Sequence, residues 1–415
     1  KVEVFGEFRI YVHIMKHIGI LKNAVQEYAW GSHTAIPELL GEKAPSSAPQ
    51  AELWMGAHPK APSMVEFNGE WVSLLELIEK NPELILGKKA AKRFKNRLPY
   101  LFKVLAAGQP LSIQAHPSRD QALQGFEREN RLGIPLNAPN RNYKDDNHKP
   151  ECICALTPFW ALNGFRNVSD VLSLMEKISP HGLRDELDAL RKEQNSRGLK
   201  RFFQQMMSMD PEQKQYITSD AVKNAENISE DDPIFTWITR LYASYPGDIG
   251  IFAPVVLNLI RLEPGQAMFL PSGELHAYLD GVGIELMANS DNVLRGGLTP
   301  KHVDVPELLN VLNFEARPVS ILTGEQVSEC EYQYPTQAEE FVLSVVFPKK
   351  GMVCTNPSSS SVEIILCTEG KALVVESGGE GKIVMDKGTS IIIPAAVTEY
   401  RLEGTATLYK ASVPV

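Results

Sequence analysis

From residue 18 to about residue 165 the chain sets short apolar runs between Gly, Pro and Asn breaks, a pattern of strands. Residues 99–106 (Pro-Tyr-Leu-Phe-Lys-Val-Leu-Ala) and 111–116 (Leu-Ser-Ile-Gln-Ala-His) read as two of them, and two short helices interrupt at about 73–78 and 87–94. From 166 to 249 the spacing changes. Apolar residues recur at intervals of three and four over 170–178, 183–194, 199–209, 211–225 and 234–245, which predicts five helices. Asp210-Pro211-Glu212 predicts an N-cap followed by proline in the first turn, and Asn167, Ser169 and Ser219 are further cap candidates. Strand patterning returns at 251. Residues 255–262 lead into a Gly/Pro-rich corner, 305–312 read as a short helix, and from about 313 the chain is strand-like, with a serine loop at 358–361. The expected fold class is mainly β with an all-helical insert.

The corner has an echo. Gly265-x5-Pro271 recurs as Gly388-x5-Pro394; His276 follows the first proline by five residues and Glu399 follows the second by five. This predicts two related β-barrels, the second without the metal residue. The expected domains are a discontinuous catalytic barrel (15–165 and 250–325), the helical insert (166–249) and a C-terminal barrel without a metal site (326–415). Residues 1–14 precede Met15 and are expected to be a non-native or disordered extension, with no signal-peptide pattern.

Composition narrows the function. Forty-two basic and 51 acidic side chains give a net charge of -9, which argues against a nucleic-acid or acidic-membrane partner. An anionic small substrate would need a local basic pocket. No apolar run approaches the ~20 residues of a membrane span. The five cysteines follow neither zinc-knuckle nor CxxC spacing, so a reduced, cytoplasmic setting is expected.

Four clusters carry candidate chemistry. Gln114 and His116, two apart on a strand, share a face; alone, they suit a solvated edge better than a metal. Glu151 opens an apolar run after Asn147-His148-Lys149-Pro150, as a possible third ligand or part of an exposed loop. His276 ends a Gly-x5-Pro-x-Gly-x2-His spacing that resembles the second motif of the cupin superfamily, in which that histidine binds metal; Asp280 stands where the motif has Asn. Arg295, before two glycines, and Lys301 could grip a phosphate, Arg as a bidentate donor and Lys as a point charge. Two imidazoles, a carboxylate and an amide suit zinc with an open position, and equally a two-histidine, one-carboxylate iron site.

The motifs at 26–32 (Gln-Glu-Tyr-Ala-Trp-Gly-Ser), 51–59 (Ala-Glu-Leu-Trp-Met-Gly-Ala-His-Pro), 110–117, 143–151 and 287–301 resemble, in order, those of the type I mannose-6-phosphate isomerases, bacterial-style, and the resemblance runs from about residue 18 to the C-terminus. It implies two cupin-like jelly-roll barrels plus an all-α domain. It implies one zinc ion per chain on Gln114, His116, Glu151 and His276, with the family's active-site arginine at Arg295. Lys149 and Lys301 are implied in the pocket, with Lys103, Trp30, Glu52, Ser112, His148, Tyr278, Glu285 and Asp291 near it. The implied reaction interconverts mannose 6-phosphate and fructose 6-phosphate through a cis-enediol, in a cytoplasmic monomer acting on a sugar phosphate. Such a reaction needs a base beside C2 and positive charge for the enediolate oxygen. Lys149, His148, Lys103 and a hydroxide on the metal are candidates for the base. Arg295 is assigned first to the enediolate, with the phosphate as its alternative. An iron oxygenase of the cupin kind and a non-catalytic sugar-binding cupin are the rival readings.

Overall fold

The computed structural model describes residues 15–67, 69–228, 232–351, 353–357, 361–378 and 381–414. Residues 1–14, expected as an extension, lie outside the described residues, as does the serine run 358–360. The described residues form two antiparallel sheets with helices packed against the first.

The first sheet has ten strands, in the order Leu257–Leu262, Phe159–Phe165, His276–Ala288, Tyr100–Ala107, Glu52–Met55, Ala24–Gln26, with Ile113–Ala115, Glu151–Ala155, Ala267–Leu270 and Leu294–Gly297 attached. The long strand His276–Ala288 organises it. Residues 276–280 pair with Ile113–Ala115 and Phe159–Phe165, whereas residues 281–288 pair with Tyr100–Ala107 on one side and Glu151–Ala155 on the other. The change of partner falls at Gly281, whose φ is +117° and whose added Cβ would lie 2.6 Å from the Pro158 carbonyl oxygen. Only glycine bends there without displacing backbone.

The second sheet has eleven strands. Strands Glu363–Glu376 and Glu399–Ser412 form its spine. Gly19–Lys22, placed with the catalytic barrel on sequence, pairs here with Ser390–Ile393 (Gly19↔Ile392), and Met64–Phe67 and Glu70–Ser73 continue the sheet. This N-terminal crossing covers an edge that the C-terminal strands would otherwise expose. A single apolar cluster joins the barrels, with Phe102, Val104, Cys152, Ile284 and Leu286 from one and Leu343, Ile364, Ile392, Tyr409 and Ala411 from the other. The echo has a backbone counterpart. Gly265 (φ +84°) and Gly388 (φ +87°) each precede a four-residue strand, and a long strand begins at His276 and at Glu399.

The insert contains helices Val168–Ile178, Arg184–Lys192, Ser196–Ser208, Pro211–Glu226 and Pro233–Ser244. Asp210 caps the fourth in a full capping box with Gln213. The other cap candidates depart from expectation. Asn167 occupies an N-cap position without a side-chain cap bond, Ser169 lies inside the first helix, and Ser219 lies inside the fourth with its hydroxyl 3.0 Å from the Tyr242 hydroxyl. Asn195 caps instead, accepting from Arg197 and Gly198. Residues 253–256 are helical, so the strand expected from 255 begins at Leu257. Cys330 and Cys354 are paired as a disulfide; Cys152, Cys154 and Cys367 are free and buried. No helix of the described residues is long and apolar enough to cross a membrane.

Candidate metal centre

Strand alternation builds the site. Ile113, Ala115, Leu275, Ala277 and Leu294 point outward into the apolar cluster shared with the helical insert. Gln114, His276, Tyr278 and Arg295 therefore take the opposite, inward face. On the facing strands Cys152, Cys154, Phe102, Val104, Ile284 and Leu286 belong to the inter-barrel cluster, which leaves Glu151, Lys103 and Glu285 pointing inward. The register sets Gln114 directly across from both His276 and Arg295. Cross-strand neighbours share a face, so amide, imidazole and guanidinium form one row.

His116, Glu151 and His276 converge. They are buried, and their ligand atoms lie within 4.8 Å of one another. His116 Nε2 is 3.2 Å from Glu151 Oε1, and His276 Nε2 is 3.3 Å from Glu151 Oε2. Neither imidazole Nε2 has a hydrogen-bond partner among the described residues, despite those short approaches. The atoms aim at a common point rather than at one another. The far sides of both rings are fixed, since His116 Nδ1 donates to the Asn292 carbonyl at 2.7 Å and His276 Nδ1 donates to the Glu274 carbonyl at 2.9 Å. That tautomer leaves each Nε2 lone pair free to bind a cation. Burial lowers His116 to about 4, against the opposing pull of Glu151, so its ring is neutral at ordinary pH. Burial opposes ionisation of Glu151, but Lys149 and the two histidines prevail and hold its carboxyl well below the usual range. Neutral imidazoles and an ionised carboxylate are the forms a zinc ion takes as ligands, and two orphaned buried nitrogens have a reason if it fills the gap. The donor set fits the ion.

The nominated lysines part company. Lys149 Nζ lies 3.1 Å from Glu151 Oε1. Lys103 sits between Glu285 (2.9 Å) and Glu52 (3.3 Å). Burial would push its ammonium down, but those carboxylates outweigh it and keep it above the ordinary lysine value. A base needs the opposite shift. His148 Nε2 lies 2.7 Å from Glu340 of the C-terminal half and 2.9 Å from Arg119 Nη2. Glu52 also accepts from Trp54 Nε1 at 2.8 Å. Asp291 pairs with Lys60 at 2.8 Å and lies 3.6 Å from His58, and these partners overcome burial to hold it low. Tyr278 is fully buried, and burial and Glu285 raise its phenol. Trp30 stacks on Tyr28 at 5.8 Å between ring centroids. Ser112 precedes the Gln114 strand and is half-buried; Lys301 is exposed.

Arg295 is half-buried, and burial lowers it. No carboxylate pairs with it among the described residues. Lys144 marks a cationic patch here. Burial lowers it first, and Lys60, Arg295 and Lys301 add to the effect, with Asp291 opposing. Sequence reasoning missed Lys144 and Lys60, although each lies within or beside a quoted motif. It also missed Asn292, whose carbonyl holds His116 and whose buried side chain accepts from Lys144 N (2.7 Å) and donates to the Asn147 carbonyl (2.9 Å).

A family model for the phosphomannose isomerase type I catalytic domain matches residues 18–168, and a second, for the type I helical insertion domain, matches residues 177–257. The chain is 43% identical over 390 residues to the mannose-6-phosphate isomerase of Salmonella typhimurium, covering 94% of this chain and 97% of that protein. It is 42% identical over 392 residues to the mannose-6-phosphate isomerase of Escherichia coli K12, with the same coverage. To the mouse mannose-6-phosphate isomerase it is 33% identical over 412 residues, covering 90% and 93%. A crystal structure of a zinc-bound mannose 6-phosphate isomerase superposes with a TM-score of 0.89 at 40% identity, covering 96% of this chain and 100% of that one.

Proposed function

The chain belongs to the type I phosphomannose isomerases, and from that membership and the convergence of His116, Glu151 and His276 we propose a zinc-dependent isomerase interconverting mannose 6-phosphate and fructose 6-phosphate. The observation that carries the metal is the pair of buried Nε2 atoms with no hydrogen-bond partner among the described residues, both turned to one carboxylate. Gln114, across from His276, completes the ligand set. Family membership disfavours the iron-oxygenase and non-catalytic alternatives. The enzyme acts as a monomer, in the cytoplasm, on a small sugar phosphate, with no nucleic-acid partner.

Zinc, when bound, supplies positive charge for the sugar oxygens that grow negative as the enediol forms. Lys149, paired with the one ligand carboxylate and free of the second carboxylate that cages Lys103, moves the proton between C1 and C2 once it has given up its own proton. Lys103, held cationic by Glu285 and Glu52, keeps a fixed positive charge at the wall of the site. Arg295, with no carboxylate of its own, stabilises the enediolate, and Lys301 and Lys144 draw the phosphate against the negative charge of the whole chain. Glu52, Tyr278, Glu285, Trp30, Ser112 and Asp291 line the sugar's place.

A coupled assay with mannose 6-phosphate tests the reading. Activity should vanish on chelation and return with zinc. Arg295→Ala should keep a full equivalent of zinc and lose on the order of 10²–10³ in kcat, as for loss of one oxyanion-stabilising donor. Full turnover in that variant removes Arg295 from the mechanism.

A further inference from the structure

We propose that Glu340, supplied by the C-terminal half of the chain, is a positioning residue for the metal centre. The inference rests on the ligand set proposed above. Glu340 Oε1 accepts from Arg119 Nη2 at 2.7 Å and lies 2.7 Å from His148 Nε2, and Arg119 Nη2 itself lies 2.9 Å from His148 Nε2, so the three groups form one cluster around the buried carboxylate. The Glu340 side chain is 2% exposed. Arg119 stands three residues after His116, and His148 stands three residues before Glu151 and next to Lys149. One carboxylate oxygen thus binds the segment leaving one ligand to the segment entering another.

The two segments are also tied from within their own barrel. Asn292 holds His116 through its carbonyl and residues 144–147 through its side chain. Glu340 joins the same two segments from the second sheet. It precedes the strand Val342–Val346, which is paired along its length with Glu399–Ser412, so its backbone is anchored in the second sheet. Arg119 opens the helix Arg119–Arg131 behind a full capping box at Ser118, so its own backbone has little freedom. The Glu340 carboxylate is buried while the Arg119 side chain is 53% exposed, and the bond between them is charge-assisted, shorter and stronger than one between neutral groups. The neighbouring Glu339 differs: its side chain is 56% exposed, it pairs with Arg93 at 2.9 Å, and it reaches Arg119 only at 3.9 Å. The second barrel, which carries no cluster of metal-binding type among the described residues, thereby acts on the metal of the first.

Partners that orient ligands change metal affinity or activity by roughly 10- to 100-fold when removed. Wild type, Glu340→Ala, Glu340→Gln, His148→Ala and the Glu340→Ala/His148→Ala double variant should be compared for zinc release to a chromogenic chelator, kcat, KM and thermal midpoint. Glu340→Ala is expected to release zinc about tenfold faster and to lose about tenfold in kcat at nearly unchanged KM. Glu340→Gln, which still offers an amide oxygen, should recover part of both. The double variant should lose less than the sum of the two single losses, because Glu340, Arg119 and His148 belong to one cluster. Wild-type zinc release and kcat in Glu340→Ala overturn the proposal, even with a lowered midpoint, and so does full additivity in the double variant. Should Glu340→Ala fail to fold, wild-type values in Glu340→Gln/His148→Ala overturn it equally. Glu151→Gln separates the premise from the proposal: if that variant keeps a full zinc equivalent, the ligand set fails first and the proposal with it.

Discussion

His116 turns Nδ1 to a backbone carbonyl and Nε2 to a carboxylate that does not satisfy it as a hydrogen bond, and its protonation follows from that placement. Burial brings the ring down to about 4, whereas an imidazole in an unfolded chain titrates near 6.5. Between those values the unfolded chain binds a proton that the folded chain does not. The metal-free protein should therefore lose stability through this residue as the pH falls from about 6.5 to about 4, and show no dependence on it above that window. Urea unfolding of zinc-free parent and His116→Gln should give a shallower acid fall for the variant; parallel profiles would contradict the assignment. At this scale spacing alone pointed to His276, behind Gly265, Pro271 and Gly273, whereas Gln114, His116 and Glu151 joined it as proposed ligands only through the family resemblance. Their orienting partners were not legible. The carbonyls of Asn292 and Glu274 are backbone atoms, and any residue could have supplied them. Nor does a sequence tell which of two nearby lysines will be caged by carboxylates, as Lys103 is, and which will face the ligand, as Lys149 does.

Among the elements, the helices of the insert announce themselves by period, but their starts depend on side-chain reach. Asp210 followed by Pro211 forms the expected cap, with Asp210 accepting from Gln213 N at 2.8 Å and Gln213 answering to Asp210 N at 3.3 Å. Asn167 occupies the same formal position before Val168–Ile178 and makes no such bond. Asp210→Ala should cost about 1 kcal/mol, and Asn167→Ala close to nothing. Thermal melts should separate the two, with kcat/KM and zinc content unchanged in both; an equal loss in both variants would mean the caps are not what distinguishes these helices. The glycine–proline corners were legible for a related reason. Gly265 and Gly388 take positive φ, and at Gly388 a Cβ would also meet the Leu39 carbonyl oxygen at 2.5 Å. The beginning of Leu257–Leu262 was misplaced because the apolar run Pro-Val-Val-Leu at 254–257 reads alike as strand or as a buried helical turn.

Across the whole molecule, sheet membership is the property the sequence concealed. Gly19–Lys22 is an ordinary short apolar strand, and nothing local says that it joins Ser390–Ile393, more than 360 residues away, rather than its neighbours. Pairing at that distance is decided by which edges remain open once both barrels form. The same long-range closure gathers the proposed metal ligands. Residue 114, with 116 just past the end of its strand, and residues 151 and 276 come from three separate strands, with the whole helical insert between the last two. Zinc that binds this arrangement and not the unfolded chain should stabilise it by about 4 kcal/mol at a free concentration a thousandfold above Kd. In a chain of several folding units the effect belongs to the transition that dismantles the catalytic barrel. Chelation should therefore lower the midpoint of that transition, and added zinc should restore it. Glu151→Gln removes the carboxylate that both histidines face, so its midpoint should respond to neither treatment. A calorimetric scan in which the variant still shifts with zinc as the parent does would place the stabilising ion somewhere other than between His116 and His276.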